Sequence, residues 1–278
     1  MAAIDWILNL TCVLIWLNWR SIRFTTAIRP DSRSLLQALK RAEPNRAMAW
    51  SCPAILLLIL VVRAFFYYQI GTAVNWTPIL ELGAVALPFR SDRFPRIILY
   101  SFLSGGLWIG GLYAWLLLLS AINRKLSDAH PMQRLIRCHL GILDKLPAAL
   151  KILLPCVLAA LAWTLLHPML ARMAIVPPAT GGGQIWKEAA VLAVATMLVW
   201  KWLLIGIFVL HILNSYVYLG TAPLWKFISI TANHLLAPVS ALPVRLGRID
   251  LSPLIGIAIV FGASETLAFW LPRLFQQL

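Results

Sequence analysis

Acidic residues are scarce in this chain: Asp and Glu number 10 in 278 residues, against 24 Lys and Arg. So few carboxylates leave no visible pair for general acid–base work. Charged residues of both signs make up only 12% of the sequence, about half the usual share of a soluble domain. A soluble surface of this size is not built from so little charge. Cysteine is also sparse. Cys12, Cys52, Cys138 and Cys156 show no C-x-x-C or C-x-x-C-H spacing, so a metal site, a redox motif and c-type haem attachment have no support. There is no Walker A loop, no H-E-x-x-H and no G-x-S-x-G, and no enzyme, cofactor or metal is expected.

What abounds is apolar. Hydrophobic residues make up 61% of the chain, and the mean hydropathy is +0.82. One soluble core cannot hide so much apolar surface, whereas a bilayer interior can. The expected fold is all-α, a polytopic transmembrane helical bundle with spans near 3–19, 52–70, 97–121, 151–170, 188–215 and 252–272, each close to the length that crosses hydrocarbon. Ile4 to Trp19 lacks a basic leader and a small-residue cleavage site, so it reads as an uncleaved first span. Pro155 and Pro168 intervene near the ends of the fourth run. Trp6, Trp16, Trp19, Trp76, Trp186 and Trp270 lie near span ends, as interfacial anchors do.

The net charge of +14 does not point to nucleic acid. Lys and Arg concentrate in segments 20–50, 122–151 and 216–250, between apolar runs, where they set membrane orientation. That bias puts these segments in the cytoplasm and, with six spans, both termini outside. Two of them carry amphipathic stripes: Leu135, Ile136, Leu140 and Leu143 within 131–147, and Leu224, Phe227, Ile228, Leu235 and Val239 within 223–242. Such stripes suit helices lying in the membrane interface or packed on the bundle's own end. Arg134, Arg137, Lys226 and Arg245 make these segments basic, and they are the expected docking residues for anionic lipid or partner proteins. Outside, 71–96 reads as a short strand pair or a folded loop, and 177–183 as a flexible linker.

The halves are alike: a span, an amphipathic segment and a span occur at 97–170 and again at 188–272. The division expected is 1–96 as a two-span extension, 97–178 as a first repeat and 179–278 as a second. Three charges fall within spans, Arg63, Lys201 and Glu265. Intramembrane charges are costly, so Glu265 is expected to pair with Arg63 or Lys201. Gly106 and Gly110 form a small-xxx-small pattern expected to close helices together inside the bundle, or else in a homo-oligomer. His167 and His211 sit near opposite ends of their spans and cannot share one haem; His211 with His139 or His234 stays open as a pair at the cytoplasmic surface.

The stretch 238–253, PVSALPVRLGRIDLSP, carries Pro238, Pro243, Arg245, Gly247, Asp250, Ser252 and Pro253. By itself it reads as a helix start, with Asp250 capping the last helix, Pro253 in its first turn and Gly247 allowing a sharp turn. It also resembles the YggT family of small bacterial and plastid membrane proteins, whose repeat ends in a Pro- and Arg-rich turn, a glycine and D-x-S-P opening a span. The likeness is good over 188–272 and degenerate over 97–170, where Leu154-Pro155 stands at the place of Ser252-Pro253. It implies a non-enzymatic scaffold or assembly factor in a bacterial inner membrane, linked to osmotic tolerance, division or cytochrome maturation. The alternative is a small-solute or ion transporter or channel, supported by the repeat and the three span charges.

Overall fold

The computed structural model describes residues 2–27, 46–74, 76–124, 126, 130–179, 181–217, 222–238, 245–246 and 249–278. The chain is all-α with almost no sheet. Its long helices are α1 (Ala2–Ala27), α2 (Arg46–Val74), α3 (Phe94–Ile122), α5 (Ala148–Arg172), the pair α6 (Gly182–Ala195) and α7 (Lys201–Tyr216), and α9 (Ser252–Gln276). Two shorter helices, α4 (Pro131–Leu140) and α8 (Pro223–Leu236), fall between them. Among the described residues five segments are long and apolar enough to cross a membrane: Trp50–Val74, Phe94–Ile122, Ala148–Arg172, Gly182–Tyr216 and Ser252–Gln276. Helix α1 forms over 26 residues where a first span is expected. Its apolar stripe is diluted by Asp5, Asn9, Thr11 and Asn18, and the first two are committed to polar contacts described below.

Two compact units emerge, Met1–Leu80 with Pro88–Leu112, and Glu81–Leu87 with Tyr113–Leu278. In the first, α1 packs along α2, and α3 approaches α2 closely. Ser101 Oγ donates to the Leu60 carbonyl at 2.7 Å, and a Cβ at Gly105 would lie 3.0 Å from Leu60 Cδ2. The small-xxx-small pair that closes these helices is therefore Ser101 and Gly105. Gly106 and Gly110, expected to do so, have nothing within 4 Å of where a Cβ would stand. The expectation of packing inside the bundle is corrected because the buried face of α3 carries Ile97, Ser101, Ser104 and Gly105, and Gly106 and Gly110 lie outside it.

In the second unit α5 packs on α6, and α9 on α6 and α7. Lipid tails are as apolar as leucine, so shape and hydrogen bonds, more than hydrophobicity, hold such helices together. The close approach is at Gly256 of α9, where a Cβ would stand 2.9 Å from Leu236 Cδ2 and 3.1 Å from the Phe208 ring. The expected uninterrupted span 188–215 is also corrected: Thr196–Trp200 tightens into a 3₁₀ turn between α6 and α7. No proline marks it. Two indoles do: Trp115 Nε1 donates to the Val199 carbonyl at 2.7 Å, and Trp200 Nε1 to the Ala114 carbonyl at 3.1 Å. These reciprocal bonds tie α3 to the turn. Conversely, α5 runs through Pro155 and Pro168 without interruption. It ends in a left-handed cap at Ala174, φ 53°, with the Ile175 N–H bonded to the Leu170 carbonyl and the Ala174 N–H to that of Ala171.

The strand-pair reading of 71–96 matches a hairpin of β1 (Ile79–Glu81) and β2 (Ala86–Pro88). Its turn uses Gly83 at φ 78°, the region glycine enters without a Cβ penalty. The tip is not peripheral. A Cβ at Gly83 would sit 3.4 Å from both Ala195 Cβ and Leu198 Cδ1, beside the 3₁₀ turn midway along Gly182–Tyr216.

Candidate functional site

Three polar clusters are built into the helices. The first lies in the Met1–Leu80, Pro88–Leu112 unit. Arg63 on α2, 2% exposed, donates to Asp5 Oδ1 at 2.5 Å, to Asn9 Oδ1 at 2.7 Å and to Ser104 Oγ at 3.1 Å. Asp5 accepts again from the Tyr67 hydroxyl at 2.6 Å and the Tyr100 hydroxyl at 2.9 Å. Both tyrosine rings lie within 5.4 Å of the guanidinium carbon, where the ring faces add cation–π attraction. The helical spacing of Asp5 and Asn9 on α1 puts both on one face. Arg63 is thus the partner of Asp5 and not of Glu265.

The second cluster sits where α3 ends, α4 turns and α5 begins. Helix α4 starts at Pro131, whose missing N–H costs nothing there, buries Gln133, Ile136 and Leu140, and stops at Gly141, φ 57°. A 3₁₀ turn, Gly141–Lys145, then carries Asp144. Ser120 Oγ donates to Asp144 Oδ1; Lys151 Nζ donates to Asp144 Oδ1 at 3.0 Å and to Ser120 Oγ at 2.7 Å. Arg137 Nε lies 3.4 Å from Asp144 Oδ2. Burial pushes the Asp144 carboxyl up, but the hydrogen bonds from Ser120 and Lys151 and the charges of Lys151 and Arg137 outweigh it, so its pKa is below the ordinary value. Ser120, Arg124, Gln133, Arg137, Asp144 and Lys151 line a cavity of about 220 Å³. Beside it, α3 and α8 are pinned: Asn123 donates to Thr231 Oγ1 at 2.8 Å and accepts from His234 Nδ1 at 3.2 Å.

The third cluster joins α5 to α6. Glu188, 4% exposed, accepts from the Trp163 indole and from the Gln184 amide, both at 3.0 Å. His167 Nε2 stands 3.5 Å from Glu188 Oε2. Sequence reading passed over Glu188 because it falls at the flank of a span beside Lys187. The available signal was an acid amid the apolar positions Ala189, Leu192 and Ala195, all three of which are buried.

Of the residues picked from the sequence, Lys201 and Glu265 meet at 2.6 Å, with Lys201 Nζ 4.6 Å from the Phe261 ring centroid. Arg134 and Lys226 are exposed on α4 and α8, while Arg137 is half-buried against Asp144. Both amphipathic segments bury one face within their unit: Phe227, Ile228, Thr231, Ala232 and Leu236 on α8, packed in part on Ile207 and Phe208. Leu135, Ile142 and Leu224 stay exposed. In the 238–253 motif, Pro238 is an exposed turn residue, and Pro243 and Gly247 lie outside the described residues. Arg245 and Asp250 pair in register across the two-residue strands β3 (Arg245–Leu246) and β4 (Ile249–Asp250). The capping expectation for Asp250 is corrected: the cap position is Leu251, one residue later, with no side-chain cap bond. Ser252 and Pro253 open α9 and are buried. Among the described residues no group of three or more His, Cys, Asp or Glu is placed to hold a metal ion. Comparison of the chain with protein-family models, with curated proteins and with solved structures finds no match.

Proposed function

We propose that this chain is a non-enzymatic scaffold or assembly factor of the YggT type in a bacterial inner membrane, working through its two amphipathic helices. The observation that carries the reading is the two-faced build of α4 and α8. Each buries one face in its own unit and leaves basic and aliphatic side chains outward: Arg134 and Leu135 on α4, with Ile142 on the turn that follows, and Leu224 and Lys226 on α8. A basic and aliphatic surface suits anionic lipid or a partner protein. In this reading 97–178 and 179–278 are two YggT-like repeats, α1 serves as a sixth span, and both termini lie outside. The processes are those of the family: osmotic tolerance, division or cytochrome maturation.

The test is a pull-down of tagged protein from native membranes in mild detergent, with Arg134→Gln/Lys226→Gln beside it. Both side chains are exposed, so the variant folds. Reproducible partners lost in the variant are expected; an identical partner set in both overturns the docking surface. A second reading, a small-solute or ion carrier, draws on the hairpin tip seated at the 3₁₀ turn and on the buried Glu188–His167 contact. Non-helical backbone at membrane depth is tolerated where protein or a water-lined path covers it. Flux into liposomes that Glu188→Gln abolishes favours the carrier; equal flux with and without the protein removes it.

A further inference from the structure

The cavity beside α4 has a chemistry that the exposed faces do not explain. Among the described residues three cations, Arg124, Arg137 and Lys151, share its wall with one carboxylate, Asp144. That carboxylate is already engaged, Oδ1 by Ser120 and Lys151 and Oδ2 by Arg137, so among these residues the positive charge is in excess. Lys151 is only 4% exposed, a position where an ammonium needs anionic company. Gln133 is 0% exposed, and neither its amide nitrogen nor its amide oxygen has a hydrogen-bond partner. Buried polar groups are nearly always bonded, so an open amide in the wall of a basic cavity points to a ligand that it meets. The volume of about 220 Å³ holds a tetrahedral oxyanion with water to spare, a water taking about 30 Å³ of liquid.

We propose that this cavity binds a phosphate group, held by Arg124, Arg137 and Lys151 and by the N–H of the Gln133 amide. The inference deepens the scaffold reading, since it places the recognition of anionic partners at one pocket, but it is tested on the purified chain without any partner protein. Guanidinium groups match phosphate oxygens in pairs, and the surplus positive charge disfavours a cation. A phosphodiester headgroup of an anionic phospholipid and free inorganic phosphate share this chemistry. The cavity lies at the foot of α5 and beside an interfacial helix, within reach of either.

The full chain in detergent is titrated with short-chain phosphatidylglycerol, with the matching diacylglycerol and with inorganic phosphate, and bound ligand is counted by native mass spectrometry. One equivalent of phosphatidylglycerol held about tenfold or more tightly than diacylglycerol is expected, the worth of a charged hydrogen bond. Gln133→Leu and Arg124→Gln are each expected to lose about that factor, while Arg172→Gln, exposed at the far end of α5, keeps it. Gln133→Leu also separates binding from folding: removing an unbonded buried amide leaves the melting temperature equal or higher. Displacement of the lipid by inorganic phosphate, with phosphate bound alone, identifies the free ion as the source; retention of the lipid identifies the headgroup. Equal retention of phosphatidylglycerol and diacylglycerol with no phosphate bound overturns the proposal, as does wild-type binding in both cavity variants. Loss of pull-down partners in Arg134→Gln/Lys226→Gln is independent of either result.

Discussion

Removing Asp5 is the sharpest perturbation available. Asp5→Ala deletes the acceptor of three bonds, from Arg63, Tyr67 and Tyr100, and leaves the Arg63 guanidinium buried at 2% exposure with no anion, only the neutral acceptors Asn9 and Ser104 and the two tyrosine rings. An unmatched arginine deep in a span costs about 2.5–3.5 kcal/mol on insertion scales, and truncating one partner of a buried pair about 3–5 kcal/mol. The two routes agree on about 3 kcal/mol. In a chain of this length each kcal/mol moves the midpoint by roughly 2–4 °C, so a drop of roughly 6–12 °C is expected. Asp5→Ala/Arg63→Met removes both charges, and apolar replacement of a buried pair is often neutral, so it should recover most of the loss. The 13 tryptophans make intrinsic fluorescence in detergent the convenient readout of the double-mutant cycle. A double variant as unstable as the sum of the singles, with no coupling, refutes the pairing argument.

Three further outcomes are expected. Gly256→Val places methyl groups inside the contact with Leu236 and Phe208 and should cost about 1–3 kcal/mol as overpacking; thermal melting checks it, and an unchanged midpoint shows that α9 is not held there. Ala174→Gly relieves a positive φ at the end of α5 and should stabilise by about 1 kcal/mol, seen as a raised midpoint; Ala174→Val should lower it. Asp144 has a pKa below its ordinary value of 3.8 in the folded chain, so its stabilising contribution is fully present above that value and fades as pH falls through the lowered folded one. Melting scans from pH 6 downward should show a loss of stability in that acid window that Asp144→Asn reduces.

The apolar runs made α2, α3, α5 and α9 legible, because twenty apolar residues have few other fates. The amphipathic stripes likewise located α4 and α8, with Pro131 and Pro223 at their first turns. What escaped were features set by partners far away in sequence. Nothing local to Asp5 names its partner, and only the fold brings Arg63 to it, 58 residues on. The turn at Thr196–Trp200 carries no Pro or Gly; its loosened carbonyl at Val199 is answered by Trp115, 84 positions earlier. Glycine spacing misled in α3, since the pattern of Gly106 and Gly110 is locally identical to that of Ser101 and Gly105, and only the neighbouring helix chooses between them. The sequence leaves Glu265 to pair with Arg63 or Lys201, two bases at compatible depths in apolar runs, and the fold selects Lys201.

The seat of the 79–88 hairpin has a consequence for how the protein is made. Its tip rests against Ala195 and Leu198, residues synthesised more than a hundred positions later. At roughly 5–20 residues per second, the hairpin waits at least 5 s for the surface it belongs on. In that interval the turn at Gly83 lacks the surface it rests on, and the open edges of a two-stranded hairpin are prone to wrong pairing. A chain cut short before Ala195 therefore carries a hairpin whose tip has no seat.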